Sequence, residues 1–493
     1  MIKKIIRINN VGKFTNYNSR GYSNCDFKKN TIIYAENGCG KTTLSVALKS
    51  LTGRNSLIKK KQSFGTDSGQ IFEILSESGV LKYENSKWNV FNKKIEIFDV
   101  HFIEDNIYTG SALPDASRTN LFEVVVGEKG IKLKTQIFNL IEEQRNYTSQ
   151  RRTIKNKLKF EKNQLSKTEI DGLNLQHGFL NEKIATLGQP IIEKSRELGK
   201  YSQKVFGKHV EEINNQLKFF TPYIEIKKFS NKSKGGVQFL SYFLTVSGHN
   251  IAFERDTKVG PTVKYSLSEG DKSAIALAFF LAKVNMTSKL EERIIVFDDP
   301  ISSFDHSRRS STINQLIKLS EKAKQLIVLT HDIYFARDIK NRLKQAETKS
   351  LKIINSPASS LIREHDIDAE TLSGIFKDIS VLKNYIDNGV SSELEKREVI
   401  RCIRPIIEGV IRIKFFTDVL PSEWLGDVIG KTRNSVESEP LSRLKPILND
   451  LIEINDYSKS FHHSDPTNPW GDIINDEELR IYVSRTLELI IKI

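Results

Sequence analysis

Apolar and polar positions fall into three regimes along this chain. Up to about residue 125, short apolar runs are separated by polar turns. Ile2–Ile8 predicts a first strand, Ile71–Leu75 and Val80–Tyr83 a hairpin, and Lys94–Val100 a further strand. The β-branched run Thr31–Tyr34 predicts a buried strand. From Gly127 the period lengthens: Ile131, Leu133, Ile137, Leu140 and Ile141 recur at helical spacing. The helix then turns polar and basic. Arg145, Arg151, Arg152, Lys155, Lys157, Lys159, Lys162 and Lys167 stand against Glu161 alone, with Ile154, Leu158 and Leu165 as a thin apolar seam. Asp171-Gly172 and Gly178 predict a reversal, and a second helical pattern runs through Leu187, Ile191, Ile192 and Leu198 toward Phe219. The pattern predicts a short antiparallel helical arm; a helical subdomain packed on the core would show the same spacing.

Strand signals return after Pro222: Tyr223–Ile226, Phe239–Val246, Ile251–Glu254 and Val263–Tyr265. An apolar helix covers Ile275–Leu281, and Ile294–Phe297 and Leu326–Leu329 read as buried strands. Beyond residue 365 the pattern is all-helical, with Pro405, Pro421, Pro446, Pro466 and Pro469 marking turns. The expected division is 1–126, an insertion over 127–222, 223–365, and a helical C-terminal domain over 366–493. The fold class is α/β with an added helical domain.

The junctions between these elements carry chemistry. The strand Thr31–Tyr34 runs into Ala35-Glu36-Asn37-Gly38-Cys39-Gly40-Lys41-Thr42-Thr43 and then an apolar-periodic helix start, a phosphate-binding loop with alanine at its first glycine position. Glycines let backbone N–H groups of Asn37 through Thr43 converge on phosphate oxygens, and the helix points its positive end at them. Lys41 adds a point charge, and Thr42 offers a hydroxyl to Mg2+. Ile294–Phe297 ends in Asp298-Asp299: Asp298 is placed to hold the same Mg2+ and Asp299 to polarise an attacking water. Ser268 and the N–H groups after it, Gly270 included, open a helix that can grip a γ-phosphate, though a plain helix cap would look the same. His331, at the end of the next apolar run, can hydrogen-bond that phosphate.

Composition adds bounds. The chain has 493 residues, 38% hydrophobic and 28% charged, enough for more than one core. No run approaches the ~18 apolar residues needed to cross a bilayer, so no membrane association is expected. The N-terminus turns polar too quickly for a secretory signal. Cys25, Cys39 and Cys402 are the three cysteines and lack CxxC spacing, so neither a disulfide framework nor a cysteine zinc site is expected, and a reduced cytoplasm fits. The net charge of +14 suits a polyanionic partner such as RNA or DNA, and equally a merely lysine-rich surface.

The ordered set AENGCGKT, LSEGDK, IIVFDDPISSFD and LTHD resembles an ABC-type ATPase of the Rad50/SMC kind, over roughly residues 1–345. LSEGD stands in the signature position and Ser302, Ser303 and Asp305 in the D-loop position. DDPISSFD and LSEGDK are similar, more narrowly, to bacterial PrrC- and RloC-like ATPases linked to phage defence, and to Septu-type ATPases. The resemblance implies ATP and Mg2+ as cofactors. It also implies a homodimer or higher even-numbered assembly, in which Ser268 and Gly270 of one subunit cap ATP on the phosphate loop of the other. Asp299 would be the catalytic carboxylate and His331 the γ-phosphate sensor. The chain departs from the pattern in having Asp299 where glutamate is usual and Glu269 where glycine is commonest. No glutamine stands near Val100–Asn106; His101 and Asn106 are weak substitutes. The arm also lacks the cysteine hook of RloC-like proteins.

In the C-terminal domain Arg404 and Glu408, four apart, share a helical face, and His462 and His463 follow near a helix end. PrrC-like anticodon nucleases resemble this set, which implies a metal-free RNase controlled by the ATPase in an anti-phage response. An i,i+4 Arg–Glu pair is also an ordinary helix ion pair. Two other readings stay open: a regulatory ATPase for a separate nuclease subunit, as in Septu-like systems, and a DNA-repair ATPase.

Overall fold

A computed structural model describes residues 1–19, 24–65, 69–99, 102, 115–161, 165–234, 237–251, 261–459, 461 and 473–493. Its contacts divide the chain into two units, Met1–His365 and Asp366–Ile493.

The first unit is built on two sheets. One is antiparallel, in the order β2-β1-β4-β5-β6, with β1 Ile2–Val11, β2 Phe14–Asn18, β4 Ile71–Ser76, β5 Gly79–Glu84 and β6 Lys87–Trp88. The other runs β14-β13-β3-β12-β11-β7. Its members are β3 Asn30–Tyr34, β7 Ile95–Phe98, β11 Ile294–Asp298, β12 Gln325–Thr330, β13 Thr348–Ile354 and β14 Leu361–Glu364. All its pairs are parallel except β13 with β14. The central strands β3, β11 and β12 are buried at every residue, which explains their unbroken apolar runs: a parallel strand covered on both faces has no polar side to show. Helix α1 (Lys41–Ser50) lies between the two sheets. Its Leu44, Ala47 and Leu48 share one core with Ile5, Phe14 and Phe72 of the first sheet and Ile33, Val296 and Leu329 of the second.

Two long helices, α2 (Asp115–Phe160) and α3 (Lys167–Phe220), form the arm. Gln144 bonds the Ile184 carbonyl and Arg151 bonds Asn181, so residue numbers rise on one helix as they fall on the other and the pair is antiparallel. The first helix ends at Phe160 and the second begins at Lys167, so the division is not at Gly172 or Gly178, which lie inside α3. The decisive signal is a capping box: the Ser166 hydroxyl accepts from the Glu169 N–H and the Glu169 carboxylate accepts from the Ser166 N–H at 2.7 Å. Glycine costs about 1 kcal/mol inside a helix and does not stop one. The arm is also longer than expected, since the 54 residues of α3 rise on the order of 80 Å.

Three further strands, β8 Ile224–Lys234, β9 Val237–Val246 and β10 His249–Ile251, pair as β10-β9-β8. Val263–Tyr265, expected as a strand, is a helical turn over Val263–Ser266; three apolar-leaning residues carry too short a period to tell the two apart. Helices α4 (Glu269–Asn285), α5 (His306–Lys322) and α6 (Ile333–Arg342) complete the unit.

The second unit is helical: α7 Ile375–Asn388, α8 Glu393–Lys414, α9 Leu425–Asn434, α10 Leu448–Lys459 and α11 Asp476–Lys492. Pro405 lies inside α8 and ends nothing. The missing N–H is tolerated because Val399, Ile400, Ile403, Ile406, Ile407 and Ile411 bury one face into the unit's core, and packing outweighs the roughly 3 kcal/mol a mid-helix proline costs.

Candidate nucleotide site

The parallel sheet brings the carboxyl ends of β3, β12, β11 and β7 side by side, where open α/β sheets place their ligand sites. Register sets Asp298 opposite Leu329, and Thr330 opposite Tyr34. Tyr34 and Thr330, far apart in sequence, thereby meet at one rim with Asp298.

The loop after β3 turns through Gly38 (φ 81°) and Gly40 (φ 113°), both in the left-handed region. At Gly40 the requirement is also steric: a Cβ would lie 2.7 Å from the Phe14 ring. Lys41, 5% exposed, folds its ammonium back into the loop. It donates to the carbonyls of Ala35 (2.8 Å) and Glu36 (3.2 Å) and to the Asn37 side chain (3.4 Å), acceptors that stand in for phosphate oxygens. The Cys39 side chain is buried and its carbonyl accepts from Ser360; the Thr43 side chain lies against Gly12, where a Cβ would meet its hydroxyl at 2.4 Å.

Asp298 and Asp299 face different partners. The Ser45 hydroxyl donates to Asp298 Oδ2 at 2.7 Å, and the nearby Thr42 side chain also favours the ionised carboxylate. Asp298 Oδ1 is buried with no hydrogen-bond partner among the described residues. Burial pushes this carboxyl up to about 6, and the neighbouring Asp299 adds to the rise. An orphaned, desolvated carboxylate oxygen beside a threonine hydroxyl fits a hard divalent cation.

Asp299 takes a left-handed φ of 49°, which turns its carboxylate back toward Lys41. One oxygen lies 3.5 Å from the Lys41 ammonium; the other accepts from the His331 backbone N–H and contacts His331 Nδ1, both at 2.8 Å. Lys41, Thr42, Asp298, Asp299 and His331 therefore form one cluster.

Ser268 caps α4 through a capping box, accepting from the Asp271 N–H at 3.1 Å and donating to the Asp271 carboxylate at 2.8 Å. Asp271 is held in turn by the Tyr223 hydroxyl and by Arg308 of α5, each at 2.6 Å. Gly270 is packed so closely that a Cβ would sit 2.8 Å from the Ser303 carbonyl. Asp305 caps α5, accepting from the Arg308 N–H at 2.9 Å.

Several participants escaped the sequence reading. Ser45 is one; Lys49, which grips the fully buried Asp99 at the end of β7 with bonds of 3.0 and 3.1 Å, is another. Lys41, Ser45 and Lys49 recur every four residues and so share one side of the helix, but that spacing names no partner for them. Arg308 had no such signal, because only the tertiary fold brings it to Asp271.

In the second unit Arg404 Nε donates to Glu408 at 2.7 Å. Glu408 is 5% exposed and also accepts from the Leu425 N–H at 2.8 Å, while the Arg404 guanidinium lies over the Trp424 ring. His462, His463, His101 and Asn106 lie outside the described residues. Among the described residues no group of acidic, histidine or cysteine side chains forms a ready-made metal site, and no helix is long and apolar enough to cross a membrane.

Comparison with known proteins places this geometry in context. The AAA domain family matches residues 128–408, more than half of the chain. The L-cystine transport system ATP-binding protein TcyN of Escherichia coli (strain K12) is 29% identical over 76 residues, 15% of this chain and 28% of that one. The hemin import ATP-binding protein HmuV of Aliivibrio fischeri is 28% identical over 92 residues, 19% of this chain and 34% of that one. The chain thus aligns with about a third or less of the length of these curated relatives. Among solved structures, the Smc head domain with an extended coiled coil from Pyrococcus furiosus, bound to the C-terminal domain of ScpA, superposes with a TM-score of 0.41 at 14% identity. That alignment covers 78% of this chain and 99% of the Smc chain. The Smc head with coiled coil and joint from Pyrococcus yayanosii gives a TM-score of 0.40 at 11% identity, covering 74% and 98%.

Proposed function

Since the chain belongs to the AAA domain family, we propose that its first unit binds and hydrolyses ATP with Mg2+, and that two copies close around the nucleotide. The observation that carries this reading is the position of Asp299, held between Lys41 at 3.5 Å and His331 at 2.8 Å. Bound nucleotide draws the Lys41 ammonium off the loop carbonyls, and the N–H groups of Asn37 to Thr43 face the phosphates. Thr42 and Asp298 would hold Mg2+, which would supply charge neutralisation at the phosphate oxygens. Asp299 accepts a proton from the attacking water, and His331 holds that carboxylate in line.

In the closed pair, Ser268 and Gly270 of one subunit face the nucleotide of the other. The Ser268 hydroxyl turns from Asp271 toward phosphate, while Tyr223 and Arg308 keep Asp271 satisfied. Asp299→Asn is expected to lower turnover on the order of 10²-fold or more while ATP still binds, and to trap an ATP-dependent dimer in light scattering. Ser268→Arg is expected to prevent that dimer. Unchanged turnover in Asp299→Asn overturns the assignment.

We further propose that this ATPase regulates a nuclease response to phage, on the resemblance of its LSEGDK and DDPISSFD segments. The version with a separate nuclease subunit is favoured over an RNase in cis. Glu408 is committed to Arg404 and to the Leu425 N–H, so its carboxylate is a structural pin for α9 rather than a free base. The chain expressed alone is then harmless to cells and becomes toxic with a nuclease encoded beside it. Growth arrest by the chain alone, abolished by Arg404→Ala and by His462→Ala, favours the RNase in cis. DNA-stimulated ATPase without growth arrest favours a repair role.

A further inference from the structure

A cavity of about 650 Å³ opens where the root of the arm meets the flank of the head, apart from the phosphate loop. One wall is the arm: Val125 and Val126 before the break in α2 at Gly127, Ile131 after it, and Tyr201, Val205 and His209 on α3. The other wall is the head, with Arg54, Lys93 and the segment following α4.

The charge balance is distinctive. The acids in the lining are already spent: Glu96 is paired with Lys283 at 2.6 Å and Arg293 at 3.0 Å, and Glu123 with Lys134 at 2.7 Å. Arg54 and Lys93 have no ion pair among the described residues, and the Lys129 ammonium rests over the Tyr201 ring, 5.2 Å from its centre. His209 is 5% exposed. Its Nδ1 lies 3.3 Å from the Val205 carbonyl, which assigns the proton to Nδ1 and leaves Nε2 as an acceptor. Burial lowers the affinity of this ring for a second proton, so it stays neutral.

We propose that this cavity binds a phosphorylated nucleoside, separately from ATP on the phosphate loop. Arg54 and Lys93 receive the phosphate from the head side. The half-buried Tyr201 ring and Val205 side chain, backed by the buried Val125 and Val126, border an apolar slot for a base beside Lys129. His209 Nε2 accepts from a ribose hydroxyl or a ring amino group. The volume lies within the ~300–1,000 Å³ of small-molecule sites. Because one wall belongs to the arm and the other to the head, an occupant bridges them at the Gly127 break and sets the arm's angle.

The test uses the full chain carrying Lys41→Ala, which removes the phosphate loop from consideration and keeps this proposal independent of the ATPase reading. Fluorescent (mant-labelled) AMP and GMP serve as probes, with adenosine and inorganic pyrophosphate as competitors. One saturable site is expected to survive Lys41→Ala and to weaken at least ~10-fold when Arg54→Ala and Lys93→Ala are combined, the loss of two charge-assisted bonds. Tyr201→Leu is expected to weaken the mononucleotides and leave pyrophosphate unaffected. Both sets of positions are exposed or half-buried, and unchanged circular dichroism confirms folding. Absence of saturable binding in Lys41→Ala, or binding indifferent to Arg54 and Lys93, overturns the proposal. Displacement of the probe by a 20-nucleotide single strand more tightly than by any mononucleotide also overturns it, in favour of a nucleic-acid groove.

Discussion

At the scale of single residues, Asp298 and Asp299 are neighbours in sequence and opposites in environment. Asp298 is 8% exposed and depends on Ser45 for one of its oxygens, while the other is buried with no hydrogen-bond partner among the described residues. Ser45→Ala is expected to leave the carboxylate without its buried partner, lowering stability by about 1–3 kcal/mol in urea melts and weakening the stabilisation that Mg–ATP confers. Glu77 offers a pH test. The Lys324 ammonium and the N-terminal amine hold its carboxyl down to about 2, against an ordinary value of 4.5. A depressed carboxyl stabilises the fold above its unfolded value, and that gain is lost as pH falls from 4.5 toward 2. Since Glu77 is 40% exposed, solvent screening confines the gain to about 1 kcal/mol or less. Glu77→Gln is therefore expected to melt slightly below the native chain at pH 7 and together with it near pH 2, by calorimetry.

At the scale of elements, the arm shows how a helix end is chosen. Gly172, Gly178, Gly188 and Gly199 all lie within α3, and its start is fixed instead by Ser166 and Glu169. Ser166→Ala is expected to cost about 1 kcal/mol locally, seen as faster amide exchange over residues 167–170 with little change at the arm's root. Gly127 behaves in the opposite way. Its φ of 63° with ψ −167° interrupts α2, a conformation nearly reserved for glycine. Gly127→Ala is expected to cost roughly 1–3 kcal/mol or to straighten α2 there, moving the arm in small-angle scattering. Helix α8 keeps Pro405 because its isoleucine face is buried; Ile403→Ala, at a fully buried position, is expected to destabilise the second unit by roughly 2–5 kcal/mol in a denaturant melt.

At the scale of the molecule, the residues assigned to the nucleotide come from distant parts of one unit. Lys41, Asp298, Asp299 and His331 gather within the first unit, whereas Ser268 is occupied with capping its own helix. On the proposed reading closure would fall to a second copy, and ATP is expected to convert Asp299→Asn protein from monomer to dimer in light scattering, reversibly on removing Mg2+.

The local rules written along the chain determined the phosphate loop, the buried parallel strands, the arm's existence and the helical character of the C-terminal region. Each rests on short-range causes: a glycine's φ, an apolar run with no polar face, a 3.6-residue period. The order β3-β12-β11-β7, which sets Asp298 beside Thr42, was implied only by motif order, because strand neighbours are chosen by packing over hundreds of residues. Tertiary structure alone decided that Arg308 holds Asp271, that Lys49 pins Asp99, that Glu408 is a buried pin, and that basic residues at the arm's root line a cavity. Those are contacts between distant segments, whose energy is realised only once the chain entropy of bringing them together has been overcome.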